Sequence, residues 1–105
     1  MAMPVQNKAE IIERLLSVRQ QLSALGATDI GLFGSFATGT PTADSDVDFL
    51  VTFAPGKHSF DNFMDLSFLL ENLLGRRVEI VTPESLSPHI GPHILKEVEH
   101  VPLAA

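Results

Sequence analysis

The chain has 105 residues, with thirteen acidic side chains against seven lysines and arginines, a formal net charge of −6 and a pI near 5.0. That balance excludes the broad basic face that grips a nucleic-acid backbone, so direct nucleic-acid binding is not expected. The absence of cysteine excludes disulfides and thiolate metal sites. No uninterrupted apolar run approaches the ~20 residues that span a bilayer, and charges scattered through the N-terminal segment argue against a signal peptide. A prokaryotic cytoplasmic protein without membrane contact is the expectation. At this length one domain, residues 1–105, should bury about two-thirds of its unfolded surface.

Taken in chain order, residues 7–25 read as a helix. Asn7 is an N-cap candidate with Glu10 three residues on, as in a capping box. Ile11, Ile12, Leu15, Leu16, Leu22 and Leu25 form one stripe at helical spacing, and Gly26 is placed to end it. Ile30–Phe33 is a short strand stopped by Gly34 and Ser35, where a short helix could begin. Residues 38–45, with Gly39 and Pro41, are a turn region. Asp46–Phe53 is a second strand, with Val47, Phe49 and Val51 on one face and Asp46, Asp48 and Leu50 on the other. Ser59 caps a long helix whose stripe is Phe60, Phe63, Met64, Ser67, Leu70 and Leu74, with Gly75 as its stop. Arg77–Val81 is a third strand, with Arg77, Glu79 and Val81 on one face. Thr82-Pro83 starts a short turn, and residues 90–99 form a last helix. Apolar stripes on helices flanking short strands give an α/β (α+β) fold, a small mixed sheet packed by helices.

Chemistry concentrates between Gly34 and Val51. Asp46 and Asp48, one residue apart on a strand, point to the same face, and two adjacent carboxylates are unstable without a cation. A divalent ion such as Mg²⁺, which prefers hard oxygen ligands and phosphate oxygens, resolves that repulsion. Gly34, lacking a Cβ, permits close backbone approach to a ligand. Ser35 offers a hydroxyl at a helix start, where free N–H groups favour an anion. One loop could therefore hold a nucleotide triphosphate while the next strand holds its metal.

Gly-Ser followed after ten residues by Asp-x-Asp, at the edges of two strand-like runs, resembles the nucleotidyltransferase superfamily that includes DNA polymerase β-like enzymes. More closely, residues 28–98 resemble the minimal nucleotidyltransferases, small prokaryotic proteins often paired with a HEPN-domain toxin. The resemblance implies the nucleotidyltransferase fold and a third acidic residue, usually Asp, on the third strand. Glu79, within Arg76-Arg77-Val78-Glu79-Ile80-Val81, fits that place. Asp46, Asp48 and Glu79 would then be the metal ligands, for two Mg²⁺ ions, with Glu79 also the candidate base, and Gly34 and Ser35 the nucleotide-binding residues. The implied reaction moves AMP from ATP to a hydroxyl, in this setting a tyrosine of a HEPN toxin. Thr38 stands where the family pattern often has Arg.

Each of these residues has a plainer reading. Either Asp alone would be a turn residue, and Glu79 alternates with apolar neighbours as on any exposed strand face. His89 and His93 are four apart, but Pro92 lies between them and no Glu follows His89, so surface histidines are expected. Arg76 and Arg77 suit either a phosphate contact or a solvated or salt-bridged pair. Phe60, Phe63 and Phe68 are expected in the core rather than as a base-stacking platform. So short a chain leaves little for a large acceptor pocket, so the second substrate should come from another subunit or a partner protein, in a homo- or hetero-oligomer. That suits an antitoxin that modifies its toxin, and equally a non-catalytic nucleotide-binding module that neutralises its partner by binding. An antibiotic-modifying nucleotidyltransferase is a third reading, which usually needs an additional domain.

Overall fold

The computed structural model describes residues 2–103. Two helices lead in, α1 (Lys8–Ser17) and α2 (Arg19–Ala24), followed by β1 (Ala27–Phe33), the one-turn α3 (Ser35–Thr38) and β2 (Val47–Phe53). After them come α4 (Phe60–Leu74), β3 (Val78–Val81), a 3₁₀ turn (Pro83–Ser85), α5 (Gly91–Glu97) and β4 (Glu99–His100). The four strands form one mixed sheet in the order β3-β2-β1-β4. β1 runs antiparallel to β2 and to β4, and β2 runs parallel to β3 through the α4 crossover.

Residues expected to form one opening helix form two. The break is at Val18, whose dihedrals (φ −120°, ψ 21°) leave the helical region. Its N–H donates back to the Leu15 carbonyl at 3.1 Å and Leu22 restarts the ladder on the Val18 carbonyl at 3.0 Å. On either side of the break, Ile11, Leu15 and Leu22 are fully buried in the core. Asn7 does cap α1, accepting from the Glu10 N–H at 2.9 Å, but Glu10 reaches back to the Gln6 N–H at 2.6 Å, one residue earlier than a capping box requires.

The core gathers Ile30, Leu32, Val47, Phe49 and Val51 from the two central strands against Leu66, Leu70 and Leu74 of α4. These leucines, four apart, are the buried ridge of α4: Leu70 and Leu74 are in the expected stripe, and Leu66 is the member it lacks. Phe60 is 77% exposed and Phe68 55% exposed, so neither is a core residue. Ser59 caps α4 as expected, accepting from the Asn62 N–H at 3.1 Å, and Gly75 closes it in the left-handed conformation. The last expected helix ends two residues early, at Glu97, because the chain turns there into β4 and pairs with β1.

Candidate functional site

The sheet brings the Gly-Ser turn and the acidic residues to one end of its central strands. Phe33 stands opposite Asp48 in the β1–β2 ladder, so Gly34 leaves the sheet beside the Asp48 carboxylate. In the parallel β2–β3 ladder Asp48 stands opposite Glu79. Asp46 lies one residue outside β2 rather than within it, because ladder pairing begins at Val47, whose N–H donates to the Arg77 carbonyl at 2.9 Å. At that lip Asp46 lies 3.7 Å from the Arg77 guanidinium, an exposed pair.

Asp48 records how crowded this end is. Its pKa is raised from 3.8 to about 6. Loss of hydration on burial is the largest cause. Next come repulsion from Glu79 and a hydrogen bond that protonated Asp48 makes to Glu79, then the charges of Asp46 and Glu97. Uncompensated carboxylates drawn together behave in this way.

Glu97, the last residue of α5, is the member that sequence reasoning missed. Its Oε1 accepts a hydrogen bond from the Gly34 N–H at 2.7 Å, across 63 positions of sequence. Nothing in its local pattern marks it, since it is one exposed polar residue on a short helix.

Gly34 has φ 77° and ψ −158°, a combination that essentially only glycine adopts. A Cβ there would collide with Oδ2 of Asp48. The close approach that this glycine permits is therefore to the acidic strand itself. Its carbonyl accepts from the Ala37 and Thr38 N–H groups, both at 3.1 Å, which starts α3 at Ser35. The Thr38 hydroxyl is spent locally, on the carbonyls of Gly34 and Ser35 at 3.3 and 3.4 Å.

Arg76 is neither solvated nor salt-bridged among the described residues, and its guanidinium is committed to backbone carbonyls. It donates to the backbone carbonyls of Thr42, Ala43 and Ser45 at 3.0–3.2 Å and to Val5 at 2.7 Å, and lies over the buried Phe36 ring at 5.0 Å. It thereby fixes the loop that joins α3 to Asp46. His89 and His93 are exposed, as expected of surface histidines. An apolar groove borders the acidic cluster, lined by Phe33, Val81, Leu86, Ile90 and Ile94 with Glu79 at its margin.

Hard oxygen donors of this kind fit a divalent cation by chemistry. Among the described residues, however, no three His, Asp or Glu side chains are gathered in a group that could hold a metal ion as they stand.

The profile of the nucleotidyltransferase domain family matches residues 12–101. The chain belongs to that family. It is 39% identical over 94 residues to the protein adenylyltransferase MntA of Thermococcus cleftensis, covering 88% of this chain and 94% of that one. Among solved structures, one assigned as a minimal nucleotidyltransferase superposes with a TM-score of 0.69 at 35% identity, over 84% of this chain and 93% of that one. A toxin–antitoxin structure with AMP-PNP superposes with a TM-score of 0.66 at 25% identity, over 91% and 73% of the respective chains. The chain is thus a nucleotidyltransferase with the mixed sheet of that fold. No helix among the described residues is long and apolar enough to cross a membrane.

Proposed function

We propose that this nucleotidyltransferase is an antitoxin that transfers AMP from ATP to a hydroxyl, a tyrosine, of a cytoplasmic HEPN-type toxin partner. The observation that carries the proposal is the meeting of the Gly-Ser turn with Asp48 and Glu79 at one sheet end, in a chain 39% identical to a protein adenylyltransferase. The likeness to a toxin–antitoxin structure with AMP-PNP supports both the nucleotide class and the kind of partner.

Asp46, Asp48 and Glu79 would hold the Mg²⁺ ions. When bound, Mg²⁺ supplies the positive charge that neutralises the triphosphate and the carboxylates together. The turn at Gly34 and Ser35 would seat the phosphates. In the transfer, the acceptor oxygen bonds to the α-phosphorus, the bond from that phosphorus to the β-phosphate oxygen breaks, and pyrophosphate leaves. Glu79, at the open margin of the cluster, would take the hydroxyl proton. Positioning and charge neutralisation carry most of such a reaction.

The test is incubation with ATP labelled on its adenosine, Mg²⁺ and the product of the neighbouring gene. Label on the partner, lost when its acceptor tyrosine is replaced by phenylalanine, is the expected result. A stable complex that silences the partner without labelling it would make the chain a binding module instead. Thr38 in place of the frequent Arg is the feature that favours this second reading.

A further inference from the structure

Gly34 occupies a positive-φ conformation that glycine reaches without strain, so its neighbours must select it from the several open to that residue. Three contacts do so. The Asp48 carboxylate fills the space where a Cβ would be. The first turn of α3 engages the Gly34 carbonyl. Glu97 takes its N–H at 2.7 Å. The third contact is the unusual one, because it is a side chain delivered from the far end of the chain.

Its delivery depends on Gly31, the glycine within β1. A Cβ on Gly31 would collide with Cγ2 of Val98, so Val98 sits directly on the bare strand, and Glu97 immediately precedes it. β4 then fastens the segment. Gly31 pairs with His100 and Leu32 with Glu99, the Val101 N–H donates to the Ile30 carbonyl at 2.9 Å, and Lys8–Glu99 and His100–Asp29 pairs each close at 2.8 Å. A two-residue strand held by so many contacts fixes where α5 ends.

A backbone N–H carries one hydrogen. While Glu97 accepts it, the Gly34 amide donates to no phosphate, and the donors left at the turn begin with Ser35. We infer that Glu97 is a positioning residue of the nucleotide site: it holds Gly34 in its glycine-only conformation, so that Asp48 stands against the turn and α3 begins at Ser35. Glu97 acts through Gly34, not on the substrate. The inference rests on the proposed nucleotide site for its functional consequence, but not for the clamp itself.

Two variants separate the hydrogen bond from the charge. Glu97→Gln keeps an acceptor oxygen and removes the charge, and Glu97→Ala removes both. Because Glu97 is exposed, both should fold. The first readout is hydrogen exchange at the Gly34 amide by NMR, without nucleotide. Exchange should speed about tenfold or more in Glu97→Ala and stay within about threefold of wild type in Glu97→Gln, as expected for loss of the bond in the first and its survival with a neutral acceptor in the second. The second is calorimetric affinity for Mg·ATP, which should weaken about tenfold in Glu97→Ala and be kept or improved in Glu97→Gln. Unchanged exchange in Glu97→Ala overturns the clamp. Faster exchange with unchanged or tighter Mg·ATP binding overturns the positioning role, and tighter binding would make Glu97 a competitor of the phosphates. Failure of wild type to bind Mg·ATP instead overturns the nucleotide reading, and the exchange rates still decide the clamp.

Discussion

The two loops that flank the acidic cluster are held by opposite means. On the side leading to Asp46, the backbone offers carbonyls, and Arg76 satisfies three of them with one guanidinium. On the Gly34 side the backbone offers an N–H, and the Glu97 carboxylate satisfies it. Both supports are long charged side chains from later in the chain, matched in sign to the backbone group they meet. They differ in what they cost the site. Arg76 sits behind the loop over Phe36, whereas Glu97 adds a negative charge that Asp48 feels. The lesson is that one loop is braced without disturbing the cluster, and the other is braced at its expense, which deepens the need for a cation there.

The largest expected effect lies in the cluster itself. Glu79→Gln keeps size and polarity and removes one charge. Transfer to the partner should fall by about 10²-fold or more if Glu79 takes the acceptor proton, while the thermal midpoint hardly moves, as for other exposed strand positions. Transfer within a few-fold of wild type in the labelled-ATP assay would leave a two-carboxylate centre and remove Glu79 from it.

Next comes the neutral brace. Arg76→Ala leaves three loop carbonyls and that of Val5 without their donor, and uncovers Phe36. A loss of about 2–3 kcal/mol is expected, lowering the thermal midpoint by roughly 10–20 °C in a domain of this size. A melt within a few degrees of wild type would show that water replaces the guanidinium freely, and the contrast between the two loops would fail.

A smaller effect tests the charged side of the comparison. Asp48 has a folded pKa raised from 3.8 to about 6. A carboxylate raised in this way contributes stability that is fully present below its unfolded pKa and lost as pH rises through the folded one. Without metal, the thermal midpoint should therefore receive a falling contribution from Asp48 between about pH 4 and pH 6. Asp48→Asn should melt a few degrees above wild type at about pH 7.5 in EDTA, with little difference at about pH 3, where wild-type Asp48 is mostly protonated in both the folded and unfolded states. A variant that melts below wild type at the higher pH would contradict the crowding inferred for this end of the sheet.

Much of this arrangement could be read from the residues. Gly-Ser and Asp-x-Asp mark the ends of two strands because a Gly-Ser step and paired carboxylates break the apolar runs on either side. Glu79 follows from alternation on a third strand, and the register places it opposite Asp48. Other features had no local signal. Glu97 reaches Gly34 only because Gly31 admits Val98, a contact between positions far apart in sequence. β4 is two residues long, too short for any periodicity, and exists through its pairing with β1. The stripe read for α4 holds Leu70 and Leu74 but lacks Leu66 and admits Phe60, because phenylalanine weighs heavily in a hydrophobic pattern. Phe60 lies at the start of that helix and Phe68 on its outer face, while three leucines four apart fill the core. Arg76 could be placed beside the site but not assigned, because a guanidinium serves carbonyls and phosphates equally well.

The central claim is that the carboxylates at this sheet end bind a nucleotide through a divalent cation. Calorimetric titration of Mg·ATP into wild type and into the Asp46→Asn/Asp48→Asn double variant, with circular dichroism to confirm that both are folded, tests it most directly. Wild type should bind, and the folded double variant should lose all metal-dependent binding. Equal Mg·ATP affinity in the two proteins would contradict the claim.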